Sequence, residues 1–110
     1  MYAKEFLVKI INKITILKGG KTMKIKEIIN VLFSEIKAEN VHNTEHNTLS
    51  FSKNNENYSI MIFRNNSNKN CYDFIINNDS CYSQVAEFSE LVKFVDYKTI
   101  NKIIEIVNNL

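Results

Sequence analysis

Glycine is almost absent from this chain of 110 residues, and proline is absent altogether. The two glycines, Gly19 and Gly20, lie side by side, so any turn elsewhere that needs a positive φ must be built from another residue. Arg64 is the lone arginine among fourteen basic residues, and nucleic-acid modules prefer a clustered, arginine-bearing basic face. The two cysteines, Cys71 and Cys81, stand ten apart, which does not match the two-to-four spacing of a zinc finger. With no secretory signal preceding them they read as free thiols in a reducing compartment. No apolar run reaches the roughly 20 residues that cross a bilayer. The longest, residues 6–17, is broken by Lys9, Asn12 and Lys13 and has no small-residue cleavage site.

What is present is lysine, asparagine and isoleucine, residues whose codons are nearly free of G and C. This bias points to a low-G+C bacterium or its phage. The chain is 45% hydrophobic and 24% charged, ordinary values for a globular protein, and its length allows one domain. The formal net charge is +2. Residues 1–22 hold five of the fourteen basic residues and one of the twelve acidic ones, which leaves nine against eleven, or −2, for the rest. Neither a strong basic field nor an acidic mimic of nucleic acid is supported.

Lys18-Gly19-Gly20-Lys21-Thr22-Met23 reads as the translation of a purine-rich ribosome-binding sequence followed by a start codon. The expectation is that the native product begins at Met23, with residues 1–22 an upstream leader. If translated, residues 4–17 place Phe6, Ile10, Ile14 and Leu17 at helical spacing, an extra amphipathic helix that would dock on the domain.

Residues 24–38 predict a helix, with Ile25, Ile28, Ile29, Leu32 and Ile36 as its apolar stripe and Asn40 as its stop. Residues 40–47 read as polar loop. Period-two alternation then predicts strands around Leu49 and Phe51, over 58–64 and over 71–77, joined by Asn-rich turns that supply positive φ. Residues 82–88 fit a fourth strand or a helix start, with the strand favoured because Ser89 could cap a helix bearing Leu91, Val92 and Val95. Asp96 caps a last helix whose stripe is Ile100, Ile103, Ile104 and Val107. Ile28 and Ile104 are therefore expected in the core. The predicted fold is one α+β domain over 23–110: an N-terminal helix, a three- to four-stranded antiparallel meander, and two C-terminal helices on one face of the sheet.

Chemistry-bearing motifs are sparse. A phosphate loop at Gly20-Lys21-Thr22 would need glycine where Thr15 stands. His42 and His46 read as exposed loop residues rather than metal ligands. The pairs Glu35/Glu39 and Glu87/Glu90 read as solvated helix-surface charges. No metal and no cofactor is implied. Tyr58, Tyr72 and Tyr82, on neighbouring strand positions, could form an aromatic patch of the kind that anchors interfaces.

The size from Met23 and the order of elements resemble small phage-encoded anti-CRISPR inhibitors of type II effector nucleases, which pair a three-stranded meander with flanking helices. That resemblance implies a non-enzymatic, stoichiometric inhibitor of a host defence protein, working in the host cytoplasm as a monomer or homodimer. The chain lacks the strong acidity of those inhibitors. The expected partner surface comprises Tyr58, Arg64, Tyr72, Asn66 and Lys69. Two other functions fit the sequence: a nucleic-acid-binding regulator and a self-assembling structural phage protein.

Overall fold

Alternation of apolar and polar side chains along residues 48–91 builds a sheet with one greasy face. The computed structural model describes residues 23–110. The expectations placed on residues 1–22, whether leader, amphipathic helix or phosphate loop, lie outside the described residues. In chain order the elements are α1 (Ile25–Glu35), β1 (Glu39–Thr44), β2 (Thr48–Lys53), β3 (Glu56–Arg64), β4 (Cys71–Asn78), β5 (Ser83–Leu91), a 3-10 turn (Val92–Phe94) and α2 (Tyr97–Asn108). The strands form one antiparallel sheet in the order β1-β2-β3-β4-β5, each pairing with its neighbour in sequence.

Register places the apolar residues in rows. Leu49 faces Ile60, Ile60 faces Ile76, and Ile76 faces Ala86; beside them Ile62 faces Phe74, which faces Phe88. These rows are covered by Ile28, Ile29 and Leu32 of α1 and by Ile100, Ile103 and Val107 of α2. Each of these large side chains, fully withdrawn from water, contributes about 1.5–3 kcal/mol. The opposite face carries Ser50, Ser59, Asp73 and Asn77 around a half-buried Met61 and Ile75, and no described helix covers it. Both helices therefore serve one side of the sheet.

Caps and turns follow from local chemistry. The Glu27 carboxylate accepts from the Lys24 backbone N–H at 2.8 Å, satisfying one free donor at the start of α1. Asp96 accepts from the Lys98 N–H at 2.9 Å and caps α2 as predicted. The Lys53 ammonium donates to the carbonyls of Val107 (2.8 Å) and Asn108 (3.0 Å), tying the β2–β3 hairpin to the α2 C-terminus. Asn54 and Asn55, at φ 53° and 66°, form the two-residue turn between Lys53 and Glu56, the role glycine usually fills. Between β1 and β2 the turn has three residues, Glu45, His46 and Asn47, the last two at φ 62° and 56°.

Four expectations are corrected. Residues 40–47 are not a loop: most of them form β1, which pairs with β2 although nearly all its side chains are exposed. With β5 this makes five strands rather than three or four. Asn40 does not stop the helix, since α1 ends at Glu35 and Ile36 is already extended. Asn40, at φ 53°, instead sits in a bulge where Asn40 and Val41 oppose Phe51. Ser89 starts no helix: β5 continues to Leu91, opposite Cys71, and only the 3-10 turn precedes α2, so there is one C-terminal α-helix rather than two. Ile104 is half-buried at the rim of the core, whereas Ile103 takes the interior position.

Candidate partner-binding surface

The polar loop between β3 and β4 is held by its own side-chain hydrogen bonds. Asn65 accepts with its side-chain oxygen from the N–H groups of Ser67 (2.8 Å) and Asn68 (2.7 Å), while its amide nitrogen donates to both oxygens of Asp73. Asn68 accepts in the same way from the Asn70 N–H at 3.0 Å. These local side-chain bonds fix the backbone without glycine; none of residues 65–70 has a positive φ, in contrast to the expectation for this turn. Asn66 and Lys69 are left pointing into solvent. Arg64 bends back over the loop, donating to the Lys69 carbonyl with its guanidinium 5.2 Å from the Tyr72 ring centre.

The end of β5 is pinned to this loop by a bond from the Val92 N–H to the Asn70 carbonyl at 2.7 Å. The 3-10 turn then closes with Val95 N–H on the Val92 carbonyl, burying Val95. Leu91 follows the alternation of β5 onto the face without helices and Phe94 projects from the 3-10 turn; they are 36% and 56% exposed. Lys98 and Lys102, four apart on α2, project from one side of that helix. The Lys102 ammonium lies 4.1 Å from the Phe88 ring centre and that of Lys93 lies 5.3 Å from Phe94.

Two open depressions of about 440 and 420 Å³ meet at Lys93. The first is bounded by Arg64, Asn70, Leu91 and Val92; the second by Glu90, Phe94, Asp96, Lys98, Thr99 and Lys102. Of the nine basic residues in 23–110 (Lys24, Lys26, Lys37, Lys53, Arg64, Lys69, Lys93, Lys98 and Lys102), five line or adjoin this one trough. None of the five forms an ion pair with a carboxylate among the described residues. The trough therefore offers exposed apolar side chains among unneutralised cations, an arrangement suited to a carboxylate-bearing surface.

The residues predicted for the partner surface divide. Arg64 lines the trough and bonds the Lys69 carbonyl, whereas Asn66 is exposed in the same loop and lines neither depression. Tyr58 and Tyr72 offer no contact surface: they are 6% and 3% exposed, on the helix-covered face at opposite ends of β3–β4, with Tyr72 beneath the Arg64 guanidinium. Tyr58 stacks on Phe51 at 5.4 Å and donates to Glu56, and Tyr72 donates to the Met23 carbonyl at 3.3 Å. Burial, reinforced by the Glu56 charge and hydrogen bond and by Cys81, pushes the Tyr58 hydroxyl above its ordinary pKa of 10.0. Tyr82 is isolated in the β4–β5 turn, so the three tyrosines make no patch.

Sequence reasoning missed Leu91, Lys93, Phe94, Lys98 and Lys102. Assigning 89–95 to a helix hid Leu91 in an apolar stripe; the recurrence of Lys98 and Lys102 on the polar side of α2 was the available signal. Cys71 and Cys81 flank β4 at its two ends and are free. His42 and His46 are exposed, and no group of metal-binding side chains occurs among the described residues.

No family model, curated protein or solved structure matches this chain.

Proposed function

We propose that the protein acts by stoichiometric binding to another protein, through the trough formed by the β3–β4 loop, the end of β5 and the start of α2. The observation that carries this reading is the exposure of two large apolar side chains, Leu91 and Phe94, one in each of the two depressions that meet at Lys93, on a backbone held by the Val92–Asn70 and Val95–Val92 bonds. Fixed apolar anchors inside a polar rim are how protein interfaces concentrate affinity, and a preformed surface loses less entropy on binding. The phage-like composition and the absence of a catalytic motif in the sequence support a host protein, such as a defence nuclease, as the target and inhibition as the outcome.

The test is isolation of a complex of fixed stoichiometry from host lysate by size exclusion, repeated with Phe94→Ala and Leu91→Ser after circular dichroism has established that both fold. Truncation of an anchor at the interface centre costs about 2 kcal/mol or more, roughly a thirtyfold loss of affinity. Full retention by both folded variants would move the interface away from the trough. Turnover of a substrate by the wild type would replace the reading with an enzymatic one.

A further inference from the structure

We infer that the segment seated in the trough is an acidic stretch of polypeptide, its carboxylates meeting Lys93, Lys98 and Arg64 while apolar side chains pack on Leu91 in one depression and on Phe94 in the other. This rests on the binding-protein reading above and adds the chemistry of the partner.

Residues 23–110 carry a formal charge of −2, yet five of their nine cations gather at one end. Basic residues outnumber Glu90 and Asp96 along the trough, so its local charge favours an acidic partner and biases the orientation of encounter.

The same trough argues against a polyanion. Glu90 and Asp96 lie among the three lysines of the α2 depression. A nucleic-acid backbone carries a charge at every nucleotide and would pass directly over both carboxylates. Carboxylates on a polypeptide are spaced by choice of sequence, alternating in a strand or recurring every third or fourth residue in a helix, and can miss them. Apolar side chains between those carboxylates have Leu91 and Phe94 to meet.

The experiment titrates ¹⁵N-labelled protein with a synthetic peptide of glutamates around a central phenylalanine, with its glutamine counterpart, and with single-stranded oligothymidylate. The acidic peptide is expected to shift the amide signals of Asn70, Leu91, Lys93 and Lys98, leave β1 and β2 unmoved, and weaken about tenfold between low and moderately high salt. Lys93→Gln with Lys98→Gln should weaken it, and Lys93→Glu with Lys98→Glu should abolish it; as exposed positions, both pairs retain the fold. Equal binding of the glutamine peptide, or shifts confined to another surface, would overturn the inference, and tighter binding of oligothymidylate would replace it with a nucleic-acid site. A lysate partner that depends on Phe94 but ignores salt and lysine reversal would overturn the acidic partner and leave the binding function standing. A lysate partner indifferent to Phe94→Ala and Leu91→Ser alike would place the interface elsewhere and overturn the acidic segment in the trough.

Discussion

Tyr82 shows how much strain one residue can carry in a chain with so little glycine. It sits at φ 55° with its side chain 93% exposed, so the ring recovers almost nothing for the left-handed backbone it must adopt. Tyr82→Asn should stabilise the protein by about 1 kcal/mol, a rise in melting temperature of roughly 4–8 °C for a domain of this size. An unchanged or lower melting temperature would show that the ring holds something in place. Tyr58 and Tyr97 make the opposite case. Burial raises both hydroxyls above 10.0, with the Glu56 and Glu35 charges adding to it respectively. A raised folded pKa means the folded state keeps its proton where the unfolded chain has begun to lose it. The stability these groups contribute is therefore complete below pH 10 and declines as pH rises through their folded pKa values. Denaturant melts of Tyr58→Phe with Tyr97→Phe should show a shallower alkaline decline than wild type; an equally steep one would assign it to other groups.

At the scale of elements, burial decides which substitutions the fold tolerates. Ile28 is fully enclosed beneath α1, and Ile28→Asp should unfold the protein, since an uncompensated buried charge costs about 3–5 kcal/mol. Ile104→Asp should remain folded with a modest loss, because that side chain lies at the rim and its carboxylate can reach water. Equal unfolding of both by circular dichroism would place Ile104 inside after all. The same distinction explains what could be read in the sequence. β2, β3 and β4 were legible because alternation reports burial, and each has one face in the core. β1 was illegible because Glu-Asn-Val-His-Asn-Thr buries almost nothing and is held by backbone pairing, which leaves no side-chain pattern. Residues 89–91 misled because Ser89 looks like a cap, whereas pairing with β4 keeps that segment extended. For the candidate surface, Arg64, Asn66 and Lys69 were legible as exposed polar residues in and beside the β3–β4 loop. Tyr58 and Tyr72 were misjudged although they share the parity of Ile60, Ile62, Phe74 and Ile76, which already assigned them to the core.

On the scale of the whole molecule, a sheet in which every strand pairs with its sequence neighbour has a consequence for how the protein reaches its native state. Each β-hairpin can close on its own within about 1–10 μs, and no crossover must thread past another strand. The long-range step that remains is docking α1 against α2 from opposite ends of the described chain. The sequence holds no proline, so the isomerisation that slows many proteins to tens of seconds cannot occur at a prolyl bond here. Stopped-flow refolding from denaturant, followed by tyrosine fluorescence, should complete in one phase faster than about a second. A slower phase would trace to association between chains, and its rate would then rise with protein concentration. A protein that folds this quickly leaves the edges of β2, β3 and β4 unpaired only briefly, which shortens the time in which they can pair with another chain.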